Sequence, residues 1–137
     1  VIFDFINKLK NDPTYLEVLG NGTQEKSYLH VSDLISGMIH LKKRKLDKEE
    51  YPIFNLGPQS DVVTIKWIAE EVVRHVSPKA KIYYGKSNKG WVGDIPKFRY
   101  DTNKASSAGW YPSYNSKEAV TLAIRDIIRM NDLPYKI

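Results

Sequence analysis

The residues able to do chemistry fall in three stretches. The first is Leu19-Gly20-Asn21-Gly22-Thr23-Gln24-Glu25-Lys26-Ser27-Tyr28-Leu29-His30-Val31-Ser32-Asp33. The second is Phe54-Asn55-Leu56-Gly57. The third runs from Trp91-Val92-Gly93-Asp94-Ile95-Pro96 through Tyr100-Asp101-Thr102-Asn103-Lys104-Ala105 to Ala108-Gly109-Trp110-Tyr111-Pro112. With Lys plus Arg at 21 and Asp plus Glu at 16, the net charge is +5, which suits acidic ligands such as nucleotides, phosphates or nucleic acid. A solvated basic surface is the simpler reading of that charge. Other chemistries are excluded by pattern. No G-x-G-x-x-G follows a strand, and there is no P-loop, no G-x-S-x-G and no helical Y-x-x-x-K. His30, His40 and His75 have no metal-ligand spacing, and His40 and His75 are expected at the surface or its boundary. No metal site and no catalytic set is therefore expected within the chain.

Several elements must position these stretches. Ile2, Phe3, Phe5, Ile6 and Leu9 recur at helical spacing, and Asn11-Asp12-Pro13 ends that run. Tyr15 to Leu19 reads as a strand, leading into a tight turn at Gly20-Asn21-Gly22. Tyr28 to Val31 reads as extended. Ser32 is the expected cap of a helix from Asp33, with an apolar face of Leu34, Ile35, Met38, Ile39 and Leu41. Lys42 to Lys45 closes it with the cations a helix C-terminus favours, and a polar loop follows over 46–52. Ile53 to Leu56 reads as a strand. Thr64 caps a helix whose core face is Ile65, Ile68, Ala69, Val72, Val73 and Val76, and Ser77-Pro78 stops it. Lys81 to Tyr84 alternates as a strand, and 86–96 is irregular. Phe98 to Tyr100 is extended, and a short helix from Asp101 or Thr102 ends at Gly109. Asn115 and Glu118 form a capping box for a last helix with a stripe of Ala119, Val120, Leu122, Ala123, Ile124, Ile127 and Ile128.

The fold class is mixed α/β, with helices and a few short strands. With 137 residues the chain has the size of one domain, 1–137, and 42% hydrophobic residues argue against disorder. So few strands make a thin sheet for a self-sufficient domain. The expectation is a partial domain, completed by another part of a longer chain that starts upstream of Val1, and one that exposes an apolar face when alone. The absence of cysteine excludes disulfides, thiolate zinc sites and a cysteine nucleophile. It fits a reducing compartment, so a cytoplasmic location is expected. No apolar run reaches the roughly 20 residues that span a bilayer, and the first residues do not read as a signal peptide.

In order, the three stretches resemble the C-terminal part of the NAD-dependent epimerase/dehydratase family, the extended short-chain dehydrogenases acting on nucleotide sugars. Residues 20–33 are similar to G-D-G-x-Q-x-R-D-[FY]-x-[YH]-V-x-D. Residues 54–57 are similar to [YF]-N-[IL]-G, and 93–95 to G-D-[VI]. Residues 101–112 are similar to D-x-x-K-A followed by G-W-x-P. The resemblance covers nearly the whole chain, from Val1 to about Met130. It implies a Rossmann half, absent here, that holds NAD and a catalytic Tyr/Lys pair, and a substrate-binding portion, which this chain is similar to. The chain itself is then expected to bind no cofactor and to be inactive alone. The implied partners are a nucleotide-sugar substrate, the Rossmann half and, for the whole protein, a second copy in a homodimer. A UDP-glucose/UDP-galactose 4-epimerase is the commonest such member.

The resemblance also implies roles. Glu17, Val18 and Leu19 match a strand along the nucleotide base. Lys26 matches an Arg that binds the diphosphate, keeping the charge but losing the bidentate fork. Trp91 stands where many members have another Arg. It either stacks on a base or sugar or plugs the loop, and Lys86, Lys89 or Arg99 can supply the missing charge. Asp94 is expected to fix its loop or pair with a basic neighbour. Asn55 shapes a turn near the ligand cleft, Asp33 is structural, and Trp110 and Pro112 pack a core. The competing reading is a stand-alone basic module binding nucleic acid or a phosphorylated partner, supported by the charge, the Lys42–Lys45 run and nine tyrosines.

Overall fold

The computed structural model describes residues 1–43, 52–58, 61–95, 97 and 99–130. Three helices build the core around a parallel pair of strands. Helix α1 (Ile2–Asn11) buries Phe5, Ile6 and Leu9, and its C-terminal cap at Asp12 is extended. Strand β1 (Tyr15–Val18) turns Leu16 and Val18 inward and Tyr15 and Glu17 outward, as a strand's two-residue period requires. Helix α3 (Ile65–Val76) is capped by Thr64, whose hydroxyl accepts from the Trp67 amide at 3.1 Å. Strand β4 (Lys81–Tyr84) returns beside β1 in parallel, from Tyr15↔Lys81 to Val18↔Tyr84. A parallel partner needs a crossover, and the chain between them supplies one containing α3. Helix α5 (Ser116–Met130) closes the core with Ala119, Val120, Ile124 and Ile128. Its first turn carries the reciprocal box: the Asn115 amide donates to Glu118 at 2.9 Å and the Glu118 amide to Asn115 at 3.0 Å. The architecture is mixed α/β.

Helix α2 (Val31–Lys42) sits apart. Only Asp33 and Gly37 are buried on it, while Leu34, Ile35, Met38 and Ile39 stay exposed. Its cap is His30 rather than the expected Ser32, because the His30 ring nitrogen accepts from the Ser32 amide at 3.3 Å. Asp33 is structural: its carboxylate accepts from the Ser113 and Tyr114 amides at 3.0 and 3.1 Å, tying α2 to the segment before α5. Trp110 lies against this segment, buried, beside Gly37 and Leu56. The short helix α4 (Asn103–Ser107) ends as expected, with Gly109 at φ +82 just beyond its cap.

Other expectations are corrected. Residues 53–56 are not a strand but irregular chain. Strands β2 (Glu25–Lys26) and β3 (Val63–Thr64) form a two-residue antiparallel ladder where none was expected. Phe3 is exposed, on the outer side of α1. His75 is buried, because Glu71 lies one helical turn earlier and meets its ring at 3.2 Å. The basic residues Arg44 and Lys45, the loop over 46–51, Pro96 and Phe98 lie outside the described residues.

Candidate functional site

Two segments meet beyond the end of β1. Gly20 and Gly22 both take φ +80, the left-handed conformation that only glycine adopts freely. Space demands glycine as well: a Cβ on Gly20 would press on the Lys89 carbonyl, and one on Gly22 would lie 2.9 Å from the Tyr84 ring. Asn21 locks the turn through its side-chain oxygen, which accepts from the Thr23 amide and hydroxyl at 3.1 and 2.7 Å. The 85–95 segment hangs on this turn. The Asn21 amide donates to the Ser87 carbonyl at 2.6 Å, and the Gly85 amide to the Gly20 carbonyl at 2.8 Å. Residues far apart in sequence are thereby held on one cavity.

That cavity has a volume of about 310 Å³. Its walls include Leu19, Gln24, Lys26, Gly90, Trp91 and Asp94, closed below by apolar side chains of α1 and α3. The Lys26 ammonium lies 2.7 Å from Asp94, whose side chain is only 6% exposed. The other Asp94 oxygen accepts from the Gly90 amide at 3.1 Å. Hydrogen bonds from Lys26 and then Gly90 hold the Asp94 carboxyl below its ordinary range, against the opposing effect of burial. Tyr28 is pushed the other way, to about 12, by burial and by the Asp94 charge. Trp91 is largely exposed at the cavity mouth, and its indole lies over Gly93, where any Cβ would collide with the ring.

Four of the expected site residues, Leu19, Lys26, Trp91 and Asp94, thus share one cavity. Lys89 is not on its wall: its carbonyl lies against Gly20, and its side chain is exposed. Glu17 lies on the outer face of β1 beside Tyr15 and Tyr83. Val18 is buried in the core, and its carbonyl accepts from Gly85 at 3.2 Å. Asn55 lies elsewhere, donating to the Asp101 carbonyl at 3.0 Å. Arg99 lines a different recess with Glu25, Val62 and Lys97. Tyr100 and Lys104 have the Tyr/Lys spacing, but Tyr100 precedes α4, so the two share no helix. Gln24 is one of the wall residues not singled out in advance, with Gly90 and Asp4. It is 2% exposed and its carbonyl oxygen has no partner among the described residues. Its signal was the glutamine of the first motif, at the second position after Gly22.

Comparisons with known proteins find relatives in sequence and in fold. Residues 1–57 match the model of the NAD dependent epimerase/dehydratase family. UDP-glucuronic acid decarboxylase 4 of Arabidopsis thaliana is 29% identical over 128 residues, 92% of this chain and 27% of that protein. UDP-glucuronate 4-epimerase of Thermodesulfobacterium geofontis is 28% identical over 120 residues, 87% of this chain and 35% of that one. A solved UDP-galactose 4-epimerase superposes with a TM-score of 0.76 at 28% identity, over 94% of this chain and 40% of its own. UDP-glucuronic acid 4-epimerase from Bacillus cereus, solved with UDP-glucuronic acid and NAD, shares the fold with a TM-score of 0.69 at 19% identity, over 95% of this chain and 40% of its own. The chain spans about a quarter to a third of the length of these curated relatives. Sequence, relatives and fold all match it to the NAD-dependent epimerase/dehydratase family.

Among the described residues, none forms the dinucleotide-binding turn of a Rossmann domain. A dinucleotide pyrophosphate needs a glycine-rich turn running from a strand directly into a helix N-terminus. Here β1 and its glycine turn lead into β2, and α3 opens from the Val63-Thr64 strand with no glycine. No group of histidines and carboxylates suited to a metal ion occurs among the described residues. No described helix is long and apolar enough to cross a membrane.

Proposed function

We propose that the chain is the nucleotide-sugar-binding portion of an NAD-dependent epimerase/dehydratase, and that the cavity between the Gly20–Gly22 turn and the 85–95 segment receives the nucleoside diphosphate. The observation that carries this reading is the convergence of Lys26, Trp91, Asp94 and Leu19 on one cavity from positions the family motifs mark. Lys26 would meet the diphosphate as a point charge, and Trp91 would offer its exposed face to a base or sugar ring. Glu17, Val18 and Leu19 would run the β1 backbone toward the base and Lys89 would add charge at the rim, while Asn55, bonded to Asp101 away from the cavity, would act only on the turn it shapes. These residues bind and orient, and hydride chemistry belongs to NAD held by a Rossmann half elsewhere in a longer chain. By itself this portion would be inactive, and the whole would be a cytoplasmic homodimer.

Uridine is the proposed base, because the curated relatives and several of the solved structures are named for UDP-sugars. A UDP-glucose/UDP-galactose 4-epimerase-like reaction is the leading assignment, favoured by the 0.76 superposition. UDP-glucuronate is the second, favoured by the curated relatives. Titration calorimetry of the chain with UDP tests the shared part. We expect saturable binding that Lys26→Gln weakens by about tenfold, the size of one lost charge-assisted contact. An absence of UDP binding, together with oligonucleotide binding that falls steeply with salt, would instead establish the nucleic-acid module.

A further inference from the structure

Two features of the fold are unfinished, and they lie together. Helix α2 turns Val31, Ile35, Met38 and Ile39 outward at spacings that place them in one stripe, and each is half or more exposed. Residues 53–56 are the second feature. Ile53 and Asn55 are exposed while Phe54 and Leu56 are half-buried, the two-residue alternation of a strand. Yet among the described residues none of their backbone amides and carbonyls has a backbone partner. The run is anchored all the same. Leu56 lies against α2, where a Cβ on Gly37 would come 3.0 Å from it. Phe54 lies under the Lys104 ammonium at 5.1 Å, and the Asn55 side chain donates to the Asp101 carbonyl at 3.0 Å. An extended, anchored run with unpaired N–H and C=O groups is an edge strand in waiting.

We infer that α2 and residues 53–56 form the docking surface for the Rossmann half of the longer chain: 53–56 adds as a strand to the edge of that half's parallel sheet, and the same body covers the α2 stripe. This rests on the nucleotide-sugar reading, which supplies that half, and goes beyond it in saying where it sits. A doubly wound sheet has both missing partners. Its edge strand carries free N–H and C=O groups, and its faces are apolar and take helices. A second copy of this chain has only the same helix and the same run, and two strands of four residues pair marginally in water. The lengths agree as well. The solved relatives match 94 to 95% of this chain with 40% of their own length, so most of each lies outside the match. Docking there leaves the Lys26–Asp94 cavity clear, because neither α2 nor 53–56 contributes to its wall.

The test is run on the full-length protein that contains this chain. A photoreactive side chain is introduced singly as Met38→benzoylphenylalanine and Ile53→benzoylphenylalanine, and the cross-linked peptides are mapped by mass spectrometry. Both should join the Rossmann half of the same polypeptide. Hydrogen exchange on the unmodified protein guards against a bulky probe that disturbs docking. The amides of Phe54, Asn55 and Leu56 should exchange about a hundredfold more slowly than those of the exposed Lys86 and Asn88. Cross-links confined to residues 1–137, cross-links that double the mass by joining a second copy, or amides at 54–56 that exchange as fast as Lys86 each overturn the inference. Calorimetry with NAD and with UDP separates the two failures. If the full-length protein binds neither, the nucleotide-sugar reading itself falls. If it binds both while α2 and 53–56 stay uncovered, the docking inference falls alone.

Discussion

Helices α2 and α3 are each 12 residues long, each is capped by a side chain that accepts a backbone N–H, and each carries an apolar stripe. Their fates differ. Helix α3 buries seven residues between α1, α5 and the parallel strands, whereas α2 buries only Asp33 and Gly37. What holds α2 is a few separate contacts: two amides on Asp33, the His40 ring on the Ala108 carbonyl, the His30 cap, and Trp110 against Gly37. Amphipathic periodicity says that a face will be covered, and the rest of the molecule decides by what. In α3 the cover is this chain, and in α2 the described residues leave the face open.

The sharpest way to break that contrast is a matched pair of truncations. Ile68, fully buried on α3, should cost about 2–5 kcal/mol as Ile68→Ala, whereas Ile35→Ala on α2 should cost under about 0.5 kcal/mol in urea denaturation. Equal losses would mean that α2 is covered. Asp33→Ala comes next, at about 1–3 kcal/mol, since it strands the Ser113 and Tyr114 amides. Hydrogen exchange should then rise in α2 before α3. The smallest effect on stability is expected from Ile35→Lys, within about 0.5 kcal/mol of wild type. The same change should abolish any weak self-association seen by light scattering, because it places a charge in the open apolar face.

The same contrast marks how far the sequence could be read. The stripes of α3 and α5 named their buried apolar residues, because both helices pack on this chain's own core. The stripe of α2 gave the helix but not whether this chain would cover it. Residues 53–56 have a strand's residue types but pair with no strand among the described residues, so they run as irregular chain. The β2–β3 ladder has two residues a side, too few for any period to show. At the site, Asp94 was expected to fix its loop or pair with a basic neighbour, without saying which one. Geometry chose Lys26, 68 positions away. Gln24 was visible as a motif letter, but its burial follows from the packing of the Gly20 turn against the Lys89 backbone, which spacing does not encode.

The parallel register of β1 and β4 has a consequence for how the molecule comes to exist. Tyr15 must wait for Lys81, so β1 leaves the ribosome long before its partner. At ordinary synthesis speeds the delay is on the order of several seconds. The closing of so large a loop is a slow, entropically opposed step, and until then Leu16 and Val18 have no strand beside them. Chaperone contact during synthesis should therefore centre on the first strand, and a ribosome stalled before Lys81 should display it.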